Sequence, residues 1–267
     1  MEKQDVIGVF DSGIGGLSIL RELIKEMPQE NFFYIADIAH SPYGERNQEY
    51  ITERIDRLSS YLINHQKFNI KTLVVACNTA TAYSIDLLRK KYPNISIIGV
   101  EPALKSASKY SKTNKVGVLA TYATIHSQKF KDLKASLNHH TDFICQPCNE
   151  LSHSIDLGNI HLATELCKKY IKNLGQLGSN YGEIDSIVLG CTHYPLMSDI
   201  IQNIVGKNIK LFDTASPVAK QTKKNTTLSE KDKNGELFFA TTAKPEMLEK
   251  ACIQFLNIKQ NSMLLKI

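Results

Sequence analysis

Short apolar runs and longer amphipathic stretches alternate along the whole chain. Most of the apolar runs lack strict alternation with polar residues, which is typical of parallel strands covered on both faces. The alternation itself predicts βα units and parallel sheets. The predicted strands lie at 6–10, 32–36, 72–76, 95–100, 115–120, 141–145, 185–189, 209–212 and 237–240.

Two of the intervening stretches carry clear helical periodicity. In residues 47–66 the apolar side chains recur at steps of four, three and four, at Ile51, Ile55, Leu58 and Leu62. Residues 160–175 show the same pattern, and Gly175 marks the end of that helix.

The chain also repeats itself. The segment IGVFDS (7–12) resembles VGVLAT (116–121), and LVVACNTATAY (73–83) resembles SIVLGCTHYPL (186–196). These two matches have similar offsets, which predicts two copies of one α/β unit. We place the first domain at 1-99 plus 210-267, with the chain returning to it, and the second domain at 100-209.

Composition and charge limit the function classes. The chain has 267 residues, 42% hydrophobic and 22% charged, as in ordinary globular proteins. No apolar run approaches the roughly 18 residues of a membrane helix, and the start MEKQDVIGVF lacks a signal-peptide cleavage site. We therefore expect a cytoplasmic protein without a membrane partner. The net charge of +5 is mild, and the cluster Lys220, Lys223 and Lys224 is interpreted as solvated surface, so no nucleic-acid partner is expected.

Small polar residues follow several of the predicted strands. In parallel α/β sheets, ligands bind beyond the carboxyl ends of the strands, so these residues predict a site. The segments are DSGIGG (11–16), ADIAHSPYG (36–44), CNTAT (77–81), TYAT (121–124) and CTHYP (191–195).

The turn DSGIGG has a second interpretation, because a glycine-rich turn before a helix can hold a phosphate. Gly13, Gly15 and the later Asp37 fit part of a dinucleotide fingerprint. However, Ser18 occupies the third glycine position, and Asp11 would repel a pyrophosphate. The same turn can instead hold a substrate carboxylate.

The pair Cys145 and Cys148 has the CxxC spacing of redox and metal motifs. A structural zinc site needs two more ligands at matching spacing. We therefore expect no metal there.

Cys77 and Cys191 end two matched strands, and each precedes the start of a helix. One such cysteine alone is ordinarily a small core residue, but the matched positions favour a functional pair. A helix N-terminus lowers the pKa of a thiol; Asp11 could accept the proton of Cys77, and His193 could pair with Cys191. Two thiols across one pocket suit stereoinversion at a carbon acid, in which one removes a proton and the other returns one.

The chain resembles the cofactor-independent glutamate racemases of the aspartate/glutamate racemase superfamily. The segments FDSGIGGLS, PYGER, VVACNTATA, GVEPA, VGVLAT, LGCTHYPL and LFDTA carry the resemblance in this order. It implies two similar parallel-sheet α/β domains related by pseudo-symmetry, with the active site in the cleft between them. It also implies an isomerase without a cofactor that supplies D-glutamate for peptidoglycan, cell wall biogenesis and cell shape, usually as a homodimer. A racemase for aspartate remains open.

The resemblance further implies roles for individual residues. Cys77 would be the base toward D-glutamate and Cys191 the base toward L-glutamate, while Asp11 and His193 would assist and contact the substrate. Glu150 is the weakest match, since CNELSHSI departs from the form CPLLVP and a helix-start acid is its ordinary interpretation. Tyr43 has an alternative role in shaping its turn. The other implied substrate contacts are Ser12, Pro42, Tyr43, Gly44, Asn78, Thr79, Thr121, Glu150 and Thr192.

Overall fold

The structure is a computed structural model that describes residues 3–137, 139–230 and 234–267. Its strands are β1 (Gln4–Asp11), β2 (Phe32–Ala36), β3 (Phe68–Val75), β4 (Ser96–Gly99), β5 (Lys115–Ala120), β6 (Asp142–Pro147), β7 (Ser186–Gly190), β8 (Lys210–Phe212), β9 (Leu237–Thr241) and β10 (Ser262–Leu264). Its helices are α1 (Leu17–Glu26), α2 (Gln48–Ile63), α3 (Asn78–Lys91), α4 (Leu104–Tyr110), α5 (Tyr122–His126), α6 (Gln128–Ala135), α7 (Leu151–Asp156), α8 (Ile160–Leu174), α9 (Ser198–Val205), α10 (Ala215–Lys224) and α11 (Pro245–Leu256).

The strands form two parallel sheets, which confirms the predicted fold class. One sheet has the order β10-β9-β2-β1-β3-β4 and the other the order β6-β5-β7-β8. Every described strand pair is parallel. All nine predicted strands are present. Among the described residues, the sequence pattern missed only β10, a three-residue edge strand whose Met263 and Leu264 are half exposed.

Strand pairing refines the expected course of the chain. β9 and β10 join the first sheet, as a chain that returns to its first domain would require. β8, however, pairs with β7 in the second sheet. Residues 210–212 thus go with the second sheet by hydrogen bonding, whereas the prediction assigned them to the first domain. The division of the remaining chain stays a prediction.

The buried apolar side chains lie on both faces of the first sheet. Along β1, Val9 packs in one hydrophobic cluster and Phe10 in another, because successive side chains of a strand point to opposite faces. The predicted helix at 47–66 is α2, which buries the four predicted apolar residues and is capped by Asn47. The helix predicted at 160–175 is α8. In the described ranges, no helix is both long and apolar enough to cross a bilayer.

The two sheets place the two cysteines at equivalent points. Cys77 follows β3, the neighbour of the inner strand β1, and Cys191 follows β7, the neighbour of the inner strand β5. Asp11 ends β1, while Thr121 follows β5. Side chains that the sequence separates by more than 100 residues therefore lie at the carboxyl edges of matching strands.

Candidate active site

The carboxyl ends of the strands carry a buried polar cluster. Cys77 is 5% exposed and Cys191 is 6% exposed, so both sulfur atoms lie inside the protein. Most of the other residues singled out in the sequence are also buried, namely Asp11, Ser12, Tyr43, Gly44, Asn78, Thr79, Thr121, Thr192 and His193.

Asp11 organises the glycine-rich turn from within. Its Oδ1 accepts the N–H of Ser12 at 2.7 Å, and its Oδ2 accepts the N–H of Gly16 at 2.6 Å. The hydroxyl of Thr192, from the second half of the chain, donates to Oδ2 at 3.3 Å. The N–H of Ile14 donates to Asp156 at 2.9 Å. These amides hold carboxylates of the protein where the dinucleotide interpretation required a phosphate.

The glycines of this turn make room for side chains from the second sheet. A Cβ at Gly13 would lie 2.4 Å from Oδ1 of Asp156, and a Cβ at Gly15 would lie 2.4 Å from Nδ1 of His193. Both distances are far below ordinary contact. The motif therefore serves close packing of the two halves of the site.

Cys77 lies immediately before α3 and next to the turn. Its sulfur donates to the hydroxyl of Ser12 at 3.7 Å. Burial, followed by the nearby charge of Asp11, raises the pKa of Cys77 well above its usual value, and the N–H of Ala80 opposes this only in part. The expected lowering of this pKa by the helix N-terminus is therefore wrong, because desolvation outweighs the helix. Burial therefore favours the protonated thiol at Cys77.

Cys191 has a different environment. Its sulfur lies 3.7 Å from Nδ1 of His193, whose Nε2 lies 2.8 Å from Oδ1 of Asp156. Burial acts to lower the pKa of His193, but Asp156 outweighs it and the pKa lies well above its usual value. Burial likewise acts to raise the pKa of Asp156, but His193 and two further donors hold it low. The pair is therefore a buried carboxylate and imidazolium, and the sulfur of Cys191 lies beside the imidazolium.

Asp156 is the site residue that sequence reasoning missed. It ends the short helix α7, in the segment SHSID, and is buried against the turn. No motif marked it, although an acidic residue on a helix that follows a strand end was a usable signal. The family resemblance placed the acidic site residue of this segment at Glu150 instead, six positions earlier.

Glu150 lies at the surface, whereas both cysteines are buried. It is exposed, has a left-handed φ of 62°, and its N–H donates to Oε1 of Glu45 at 3.1 Å. With Gly44 and Tyr122 it lines an open cleft of about 600 Å³. These contacts give no support to a role of the Glu150 carboxylate beside the thiols.

Tyr43 is buried, and its hydroxyl already donates a hydrogen bond within the protein. It donates to Oδ2 of Asp37 at 2.5 Å, and Asp37 also accepts two hydrogen bonds from the guanidinium of Arg54, each at 2.7 Å. Asp37 is thus part of a buried ion pair, not a ribose ligand. The neighbouring backbone does face the second sheet, since a Cβ at Gly44 would lie 2.7 Å from Cβ of Thr121.

Two hydroxyl groups, one from each half of the chain, contact each other at the start of α3. Oγ1 of Thr79, in the first turn of α3, lies 3.0 Å from Oγ1 of Thr121. The amide of Asn78 donates to the carbonyl of Val100 at 3.3 Å. Polar groups from both halves of the chain therefore meet at the start of α3, directly after Cys77.

The CxxC pair does not form one site. The sulfur of Cys145 donates to the carbonyl of Phe143, and that of Cys148 to the carbonyl of Gln146. Both are free cysteines that pack in different hydrophobic clusters.

Comparisons with known proteins show what the chain is similar to. A family described as Asp/Glu/Hydantoin racemase matches residues 7–222. A glutamate racemase of Clostridium perfringens strain SM101 is 42% identical over 240 residues, which are 88% of this chain and 90% of that protein. A solved glutamate racemase isoform, RacE1 from Bacillus anthracis, superposes with a TM-score of 0.84 at 29% identity, covering 100% of this chain and 99% of that one. A glutamate racemase from Francisella tularensis, solved with D-glutamate, has a TM-score of 0.82 at 29% identity, covering 98% of each chain.

Proposed function

The chain belongs to the Asp/Glu/hydantoin racemase family, and from that premise we propose that it interconverts L-glutamate and D-glutamate. It is an amino-acid racemase, an isomerase, and it provides D-glutamate for peptidoglycan synthesis. One observation carries the proposal: two buried cysteines end matching strands of two sheets, and their surroundings differ. Relatives named glutamate racemase across most of the chain support the choice of substrate.

In the proposed reaction, the two sulfur atoms begin in complementary proton states. Cys191, beside the His193 imidazolium, begins as the thiolate and removes the Cα proton of L-glutamate. Cys77, whose pKa burial raises, begins as the thiol and delivers its proton to the opposite face. The products are D-glutamate, a Cys191 thiol and a Cys77 thiolate. The reverse reaction begins from that second state and restores the first.

The polar groups of the cluster bind the substrate in this proposal. Glutamate carries two carboxylates and one ammonium, and buried hydroxyl, amide and backbone N–H groups suit the carboxylates. Asp11 faces the ammonium; burial first of all raises the pKa of this carboxyl, so a bound cation stabilises its ionised form. The carboxylate ligands are Ser12, the Pro42–Gly44 backbone, Asn78, Thr79, Thr121 and Thr192.

Racemisation in deuterium oxide tests the two thiols. L-Glutamate should give D-glutamate that carries solvent deuterium at Cα, because the returning proton comes from a different sulfur. Cys77→Ser and Cys191→Ser should each lose racemisation by about three orders of magnitude or more, as expected when one of two proton-transfer groups is removed. Cys145→Ser, which alters a cysteine outside the cluster, is the control.

Full activity in both thiol variants would refute the two-thiol mechanism. The same assay with L-aspartate decides the alternative substrate, since an equal rate on aspartate would contradict the choice of glutamate. We further propose a cytoplasmic homodimer. Sedimentation analysis of the purified protein tests the dimer, and a monomer at micromolar concentration would contradict it.

A further inference from the structure

The hydroxyl of Ser41, in the segment after β2, contacts the carboxylate of Asp156, at the end of α7. Ser41 precedes the turn at Tyr43–Glu45, and its Oγ donates to Oδ2 of Asp156 at 2.6 Å. The N–H of Ile14, also in the first domain, donates to Oδ1 at 2.9 Å. The carboxylate that holds His193 is therefore itself held from across the cleft.

The two oxygens of Asp156 have different partners. Oδ1 contacts both the N–H of Ile14 and the ring of His193. In the described part of the chain, Oδ2 receives its hydrogen bond from Ser41 alone. Since Asp156 is 8% exposed, loss of that hydroxyl would leave one oxygen of a buried carboxylate unsatisfied, which is costly.

We propose that Ser41 is a positioning residue for racemisation, and that its hydroxyl keeps the Asp156–His193 pair aligned with Cys191. This inference rests on the proposed function of the two thiols. Ser41 does not touch a reacting atom in this proposal. It acts through Asp156, and it makes the basic state of Cys191 depend on contact between the two domains.

The electrostatic consequence follows from the groups that face the pair. These are Asp11 at the end of β1, Tyr34 on β2 and Cys191 after β7. The hydroxyl of Tyr34 is engaged with the carbonyl of Gly13, so it does not replace Ser41 as a donor. Without the Ser41 hydroxyl, the carboxylate becomes easier to protonate. The pair then shifts toward its neutral form, which no longer favours a thiolate at Cys191.

Removal of the hydroxyl tests the proposal. Ser41→Ala should lower kcat/KM for L-glutamate by about 10- to 100-fold, the range expected for one hydrogen bond to a charged group. The acid limb of the pH profile should move to higher pH, because Asp156 then takes up its proton at higher pH. Ser41→Thr should restore most of the activity, whereas the similarly shaped Ser41→Val should not.

Thr242→Val is the matched control. The Thr242 hydroxyl also donates to a buried carboxylate, Oδ1 of Asp37 at 2.8 Å, but that network does not contact His193. This variant should keep the acid limb of the wild type. Equal kcat/KM and an equal acid limb in Ser41→Thr and Ser41→Val would overturn the proposal, even if Ser41→Ala failed to fold.

Nitrogen NMR of histidine-labelled protein separates this inference from the proposed function. The His193 signals, identified by their loss in His193→Gln, should report an imidazolium at neutral pH in the wild type and a shift toward neutral imidazole in Ser41→Val. Unchanged His193 signals in Ser41→Val would overturn the role of Ser41. Absence of glutamate racemisation in the wild type would instead refute the proposed function, while the NMR comparison would still decide the role of Ser41.

Discussion

Gly15→Ala should impair catalysis by displacing His193, and the structure sets the size of the effect. The added Cβ would lie 2.4 Å from Nδ1 of His193, about 1 Å short of the 3.4 Å at which ordinary contact begins. It would also lie 2.7 Å from the backbone nitrogen of His193, so rotation of the ring cannot relieve the clash. Gly15 does not have a left-handed φ, which leaves the steric effect isolated.

A displacement of about 1 Å in a catalytic group costs about 100-fold in rate. This corresponds to about 2.7 kcal/mol in the barrier. We therefore expect kcat/KM for L-glutamate to fall about 100-fold, measured by polarimetry or circular dichroism as D-glutamate forms. Because the two enantiomers are equally stable, kcat/KM for D-glutamate must fall by the same factor, which provides an internal check.

Gly8→Ala, on the preceding strand β1, is the matched control. Its Cβ would lie 3.3 Å from the end of the Leu73 side chain, a contact that a small side-chain shift relieves. We expect this variant to keep wild-type kcat/KM. Thermal unfolding should show that Gly15→Ala remains folded. A folded Gly15→Ala protein with kcat/KM within threefold of the wild type would refute the packing argument.

Three further predictions concern the surroundings of the site. Tyr43→Phe removes a donor to Asp37 and should lower the free energy of unfolding by about 1.5–3 kcal/mol in denaturant titrations. The KM for glutamate should change little, and a large rise in KM would show that the hydroxyl binds substrate. Burial acts to raise the pKa of Asp37, but Arg54 and Tyr43 hold it below its usual value. The stability of the wild type should therefore persist above about pH 4 and decline at lower pH, as acid protonates this carboxylate. Arg54→Met should cost about 3–5 kcal/mol and begin this decline at higher pH, and melting curves that match the wild type across pH would contradict the ion pair. Glu150→Gln should leave kcat/KM nearly unchanged, since Glu150 is exposed and its contact with Glu45 uses the backbone N–H; a tenfold loss would restore its proposed role.

Much of the architecture was legible in the order of residues. Parallel strands that are buried on both faces require continuous apolar runs, and those runs located nine strands. The repeat of the two cysteine segments located two equivalent strand ends. The sequence did not reveal β10, because a three-residue edge strand with two half-exposed residues needs no distinctive pattern. The pairing of β8 with β7 was not predicted, because the sequence of a short strand does not indicate which strand it pairs with.

The proton states of the site were a different matter. Local sequence placed Cys77 at a helix start and predicted a lowered pKa, whereas burial raises it. Glu150 stood in a recognisable segment, but Asp156 is the acid that reaches His193. A titratable group responds to every charge and donor within several ångströms, and most of these come from distant parts of the chain.

The sequence by itself determined the fold class and the family, and it predicted the two thiols, because apolar periodicity and short motifs are local properties of the chain. Only the tertiary structure decided which acid contacts His193, that burial raises the pKa of Cys77, and why Gly13 and Gly15 lack side chains. These features depend on packing between segments that lie far apart along the chain, and desolvation and steric contact exist only once those segments have come together.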